Sequence, residues 1–254
     1  MDLRSVSTYF VFNIFSVLIP FLAIPFLTHY LSPSDYGLFT TFTVITMFIG
    51  NVFRLELNMA LKREYVDNPQ DFSLYISTAF VFSTLFLVPC CIVVALMMLF
   101  FDTIYEISWC WIFLIVLLAY FRAQVINLHH LWQITNRAFS YGVWGLIATL
   151  AIYVMSIIFI LFKDANWESR ALAEWWVGFI SFPIAIYYLR KNYALKWDFD
   201  RDTLMKMLRY SLPLLPSTLI SYVFLVSDRM FIAEIRGISA KFGNTIGKLY
   251  SPTC

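Results

Sequence analysis

The chain is 254 residues long, 61% hydrophobic and only 13% charged, with a mean hydropathy of +0.74 and a net charge of +2. A water-soluble domain of this size carries about 25% charged residues, so the composition excludes a soluble globule and leaves lipid as the solvent. The small net charge, without basic clusters interleaved with aromatics, excludes a nucleic-acid partner.

Crossing the hydrocarbon takes about 20 apolar residues in a helix. The period-2 alternation of a barrel strand is absent, so the expected fold is all-α. Seven spans are predicted in chain order: 7–31, 38–61, 72–101, 109–128, 139–162, 171–189 and 212–235. The connections are short. Ser32-Pro33-Ser34-Asp35 closes the first pair, residues 61–71 the second, and a polar helix around 122–137 follows the fourth span. Residues 190–206 form the longest basic loop. This arrangement divides the chain into a lobe of six helices over 1–207, with a cytoplasmic loop at 190–207, and a segment 208–254 holding one further helix and a polar tail.

Short-loop Lys and Arg residues face the cytoplasm. With the N-terminus inside, the inner loops collect Arg4, Lys62, Arg63, Arg122, Arg137, Arg190, Lys191, Lys196, Arg201, Lys206 and Arg209, and the outer loops only Lys163 and Arg170. The N-terminus is therefore placed in the cytoplasm. The apolar run behind it is too long for a cleaved signal core and has no A-x-A site.

Ionised groups within spans carry the functional reading, because hydrocarbon penalises charge by a few kcal/mol per residue. In the second span Asn51, Arg54 and Asn58 lie three and four residues apart and share one helical stripe. Glu56 points about 200° away from Arg54 and needs its own partner or a water path. Arg54 lies about 12 Å from the inner boundary. A polar stripe that only holds helices together is one reading, and an aqueous cavity lined by Arg54 is the other. In the seventh span Asp228 and Arg229 sit side by side, about 100° apart in direction. Pro20, Pro25, Pro89, Pro183, Pro213 and Pro216 interrupt spans, either as tolerated residues or as bending points.

Enzymatic chemistry has no visible site. No phosphate loop and no nucleophile elbow occurs, and His129 and His130 lack further ligands at zinc spacing. The four cysteines, Cys90, Cys91, Cys110 and Cys254, form no metal spacing either. No cofactor and no metal is expected.

The end of span seven echoes the end of span one. Tyr36-Gly37 and Phe242-Gly243 each follow a short polar turn, as in a parallel repeat of six-helix lobes. The turn Leu31-Ser32-Pro33-Ser34-Asp35-Tyr36-Gly37 resembles the signature after the first helix of Wzx-type polysaccharide flippases, in the superfamily that also holds MATE-like drug exporters. Arg54-Leu55-Glu56-Leu57-Asn58-Met59-Ala60 is similar to the second-helix motif of those flippases. Asn136-Arg137-Ala138-Phe139 and Ser227-Asp228-Arg229-Met230-Phe231 fit the same pattern, so the resemblance runs to about Gly243.

The resemblance implies two six-helix lobes around a cleft, in the bacterial inner membrane. It implies transfer of an undecaprenyl-pyrophosphate-linked oligosaccharide, for O-antigen or capsule-like polysaccharide, to the periplasmic leaflet. The expected partners are that lipid-linked oligosaccharide, membrane lipids and the polysaccharide polymerase and export machinery. Arg54 is expected to meet the pyrophosphate, with Asn51, Asn58 and Glu56 lining the cavity, and Asp228 and Arg229 to gate it or join the lobes. With one lobe and one helix of the second, the chain reads as a truncated flippase. The alternatives are an ion-coupled drug or cation antiporter using Glu56 as the only deep acid of the first lobe, a membrane glycosyltransferase or polymerase, and a non-functional fragment.

Overall fold

The computed structural model describes residues 3–100, 107–163, 165–218 and 220–221, with side-chain detail from Ser7 onward. Most of the predicted seventh span, including Asp228 and Arg229, lies outside them. Among the described residues there are eight α-helices: α1 Leu3–Tyr30, α2 Pro33–Arg54, α3 Leu57–Asp67, α4 Phe72–Met98, α5 Trp109–Ile134, α6 Ala138–Phe162, α7 Trp167–Tyr193 and α8 Arg201–Ser211. Six of them (α1, α2, α4, α5, α6 and α7) are long and apolar enough to cross a membrane. The protein is an all-helical, polytopic membrane protein.

The chain separates into a unit 1–212 and a unit 213–254. In the second, Ser217 donates to the Leu214 carbonyl at 2.7 Å and Ser221 to the Ser217 carbonyl at 3.0 Å, the back-bonding of a helix. The first unit holds the eight helices.

Local chemistry sets the turns. Ser32 caps α2, its hydroxyl accepting from the Asp35 amide at 3.1 Å, with Pro33 at the first helical position. Asn136, at φ 58°, takes the left-handed position between α5 and α6, where asparagine is tolerated better than most residues. Asn166 caps α7 by accepting from the Ser169 amide at 3.0 Å, and Asp200 caps α8 by accepting from the Thr203 amide at 2.8 Å.

Three expectations change. The second span is two helices, since the chain breaks at Leu55 and Glu56. The fourth span and the polar helix behind it are one continuous helix, α5. The sixth span begins at Trp167, four residues earlier than its apolar run, so Arg170 lies within a span and not in an outer loop.

Helix α5 is central. It packs against α2, α4 and α7, and 56% of its most apolar stretch is buried, against 11% in α1 and in α6. A Cβ on Gly50 would make ordinary contact, 3.7 Å, with the Ala119 carbonyl oxygen between α2 and α5. A Cβ on Gly142 would lie 2.7 Å from Cβ of Phe12, so α1 and α6 meet at a point that excludes any side chain.

The core has two main parts. At the end carrying α3 and α8, Trp132, Leu128 and Leu131 of α5 pack with Tyr75, Leu189 and Met207. Toward the opposite end Phe42, Phe53, Trp111, Ile115 and Trp167 pack together. Outward faces of α1, α4 and α6 expose large apolar side chains such as Val17, Phe21, Val88 and Ile147, as lipid contact requires.

Candidate functional site

The motif Arg54-Leu55-Glu56 occupies a strained break. Leu55 has φ 44° and Glu56 φ 55°, two consecutive non-glycine residues in the left-handed region. Each costs about 1–2 kcal/mol in backbone sterics. Packing holds them there: Leu55 rests against the core at the α3 end, and its amide donates to the Asn51 carbonyl at 2.9 Å.

The break rearranges the predicted polar stripe. Asn51 and Arg54 stay together on α2, where an Arg54 Nη2–H donates to Asn51 Oδ1 and Asn51 Nδ2 donates to the Met47 carbonyl at 3.0 Å. Asn58 belongs to α3 instead. It is buried, and its Oδ1 has no hydrogen-bond partner. Glu56 is buried at the break itself, so the angle read from a continuous helix does not apply to it. Lys62 lies within electrostatic reach of Glu56, and burial lowers the pKa of the Lys62 ammonium while Glu56 opposes that shift. We expect Glu56→Gly to raise stability by about 1 kcal/mol by relieving the left-handed strain. Thermal unfolding in detergent reads this, and a fall in midpoint would mean that the carboxylate holds the break.

Asp228 and Arg229 fall outside the described residues. Asp35, which the sequence presents as part of a turn, has a second role: its Oδ1 accepts from the Trp167 amide at 3.3 Å, fastening the α1–α2 turn to the start of α7.

A charged cluster that sequence reasoning missed lies inside the bundle. Glu174 of α7 accepts from Arg122 Nη2 of α5 at 2.6 Å, and Arg170 Nη1, one turn earlier on α7, lies 3.3 Å from its other oxygen. Arg170 and Glu174 are buried, and the Arg122 side chain is 26% exposed. The Arg170 guanidinium is held between two rings, 4.6 Å from the Phe39 centroid and 4.8 Å from the Tyr153 centroid. Its Nε and Nη1 have no partner of hydrogen-bond geometry, so the 3.3 Å approach to Glu174 is an ion contact only.

Among the described residues two arginines thus share one carboxylate, leaving one positive charge in excess. Glu174 is seven residues into α7, about 10 Å from the Trp167 end, and Arg122 is about 20 Å from the start of α5. Glu56 is accordingly not the only deep acid of the lobe. The signal available in sequence was the four-residue spacing of Arg170 and Glu174, together with the continuity of apolar residues on both sides of Arg122.

Neutral polar groups extend the interior between α4 and α5. Gln124 Nε2 donates to Ser83 Oγ at 2.7 Å, and the Thr84 and Tyr120 hydroxyls are 2.8 Å apart. His129 packs against the rings of Trp132 and Tyr141. Among the described residues no group of three His, Cys, Asp or Glu side chains is placed to hold a metal.

No curated protein and no solved structure matches the chain. The family model described as polysaccharide biosynthesis protein matches residues 3–248, nearly the full length. The ordered polar turns, the intramembrane charges and this match together place the chain in the polysaccharide biosynthesis protein family.

Proposed function

We propose that the protein works as a Wzx-type flippase, moving an undecaprenyl-pyrophosphate-linked oligosaccharide across the bacterial inner membrane for surface polysaccharide synthesis. The observation that carries this reading is the excess positive charge inside the spanning bundle, where Arg122 and Arg170 share Glu174. A pyrophosphate head crosses hydrocarbon only where cations and water meet it, and arginine offers a fork of donors suited to phosphate oxygens. Arg54, at the end of α2, is the cation that meets the head at the α3 end. Asn51, Asn58 and Glu56 supply neutral and acidic contacts beside it, and Asp228 and Arg229 act in gating or lobe contact. The protein performs no covalent step in this reading, needs no cofactor, and hands its cargo to the polymerase and export machinery.

The N-terminus faces the cytoplasm in this reading. The end carrying α3 and α8 holds Lys62, Arg63, Arg137, Arg190, Lys191, Lys196, Arg201, Lys206 and Arg209. With Arg170 drawn into a span, Lys163 is left at the opposite end among the described residues, and the asymmetry there is steeper than the sequence suggested.

The test is Arg54→Ala in cells whose surface polysaccharide depends on this protein. The expected result is loss of the surface polymer, with lipid-linked oligosaccharide accumulating at an unaltered protein level. Normal export would overturn the assignment. An ion-coupled antiporter of the same superfamily is the second reading, favoured by Glu174, a carboxylate within a span. Drug efflux from energised vesicles that stops in Glu174→Gln would select it.

A further inference from the structure

Helix α8 and the segment before it form a fixed platform on the ends of spanning helices. The Lys196 amide donates to Ser77 Oγ at 3.0 Å and the Asp200 amide to Thr78 Oγ1 at 3.3 Å, fastening the segment to the first turns of α4. The Trp197 ring meets Phe80 edge-on at 5.5 Å, and the Arg63 guanidinium of α3 lies over the Tyr210 ring at 5.2 Å. Because α4 begins its span at Phe72, these contacts put α8 at the level where the hydrocarbon ends.

The two sides of α8 differ sharply. Thr203, Leu204, Met207 and Ser211 are buried against the lobe and fall within an arc of about 100°. Arg201, Asp202, Met205, Lys206, Arg209 and Tyr210 are exposed on the remaining surface, three basic residues against one acid. The segment ahead of the helix adds exposed Lys196, Trp197 and Phe199, with Trp197 66% exposed although its edge is packed. Over residues 190–210 six basic residues stand against three acidic ones, and one of those acids, Asp200, is occupied in capping α8.

Exposed basic side chains interleaved with Trp, Phe, Met and Tyr, on a helix and the segment that leads into it at the hydrocarbon boundary, are the chemistry of an anionic membrane surface. A purely topological role for the charges explains their side of the membrane, but not the exposed Trp197, Phe199 and Met205 that stand among them. We propose that the exposed face of α8, with Lys196, Trp197 and Phe199, is a binding surface for anionic phospholipid headgroups of the surrounding leaflet. The occupant is the bilayer, since the aromatic residues need acyl-chain or glycerol contact that a soluble anion does not offer. The proposal stands independently of what the protein transports.

Trp197 provides its own probe. The full chain is reconstituted in vesicles of phosphatidylcholine containing either brominated phosphatidylglycerol or brominated phosphatidylcholine, with bromines high on the acyl chain. The Trp197 share of the fluorescence is isolated by difference against Trp197→Phe, since the chain has eight tryptophans. The expected result is stronger quenching by the anionic lipid. The preference falls on the order of tenfold or more in the triple variant Arg201→Gln, Lys206→Gln, Arg209→Gln, given the attraction of each basic residue to an anionic leaflet. It is retained in Arg201→Lys with Arg209→Lys, which keeps the charge and guards against misfolding as the cause. Equal quenching by the two lipids in the unaltered protein would leave the face to a protein partner and overturn the proposal. So would a preference that survives the triple variant, or one abolished by millimolar inorganic phosphate, which would mark a free-anion site.

Discussion

Glu174→Leu is expected to lower the stability of the protein by about 3–5 kcal/mol, the range seen when one partner of a buried ion pair is removed. Among the described residues, Glu174 is the single carboxylate that Arg122 and Arg170 approach within salt-bridge distance. Without it, Arg170 stays buried beside Phe39 and Tyr153 with no carboxylate in salt-bridge distance among the described residues, and Arg122 loses its 2.6 Å acceptor. The effect exceeds that of losing a surface pair such as Arg63–Asp67, whose side chains are 56% and 50% exposed and which is worth about 1 kcal/mol or less. Denaturant or thermal unfolding in detergent gives the comparison. Restoring neutrality by Arg170→Leu in the Glu174→Leu background is expected to recover part of the loss. If Glu174→Leu proves no worse than Asp67→Asn, the cluster is not the electrostatic centre of the lobe.

Trp132→Ala is expected to cost about 3–5 kcal/mol, as for other large buried aromatics. Trp132 is 2% exposed and meets Trp144 of α6 at 5.9 Å and Tyr188 of α7 at 5.8 Å, both edge-on. Lipid tails are as apolar as the side chains they compete with, so close packing, more than escape from water, holds spanning helices together. Removing the indole therefore opens a void among α5, α6 and α7 that no solvent term offsets. The milder Trp132→Phe is expected to lose less than half as much in the same unfolding measurement. Equal losses would show that the void is not the cause.

The spans were legible because a run of apolar residues about 20 long has few other destinations. The first, third and fifth spans were located to within about three residues on that ground, and the second, fourth and sixth in part. The break after Arg54 was hidden because Leu55 and Glu56 are not turn residues. The contacts that force them into the left-handed region come from distant parts of the chain. Arg170 and Glu174 were hidden for a related reason: charged residues near Trp167 make the first turns of α7 look like a loop, and burial under Phe39 and Tyr153 is a tertiary fact. Arg122 looked like the start of a polar helix, although the apolar surface of α5 continues past it to Trp132. Of the sequence-predicted site, Asn51 and Arg54 do meet on α2, whereas Glu56 falls at the break and Asn58 belongs to α3, so neither shares the α2 stripe.

The first helix joins the rest of the lobe chiefly through α6, at the contact where Phe12 lies over Gly142. During synthesis Tyr30 leaves the ribosome long before Ala138, so α1 enters the bilayer with its eventual neighbour still untranslated. Its stretch Ser7–Tyr30 contains no Asp, Glu, Lys or Arg, and can wait alone in lipid without an exposed charge to shield. The buried ion cluster falls on helices made later, α5 and α7, whose arginines and glutamate find each other once both are inserted. Assembly order and charge placement are in this way matched along the gene.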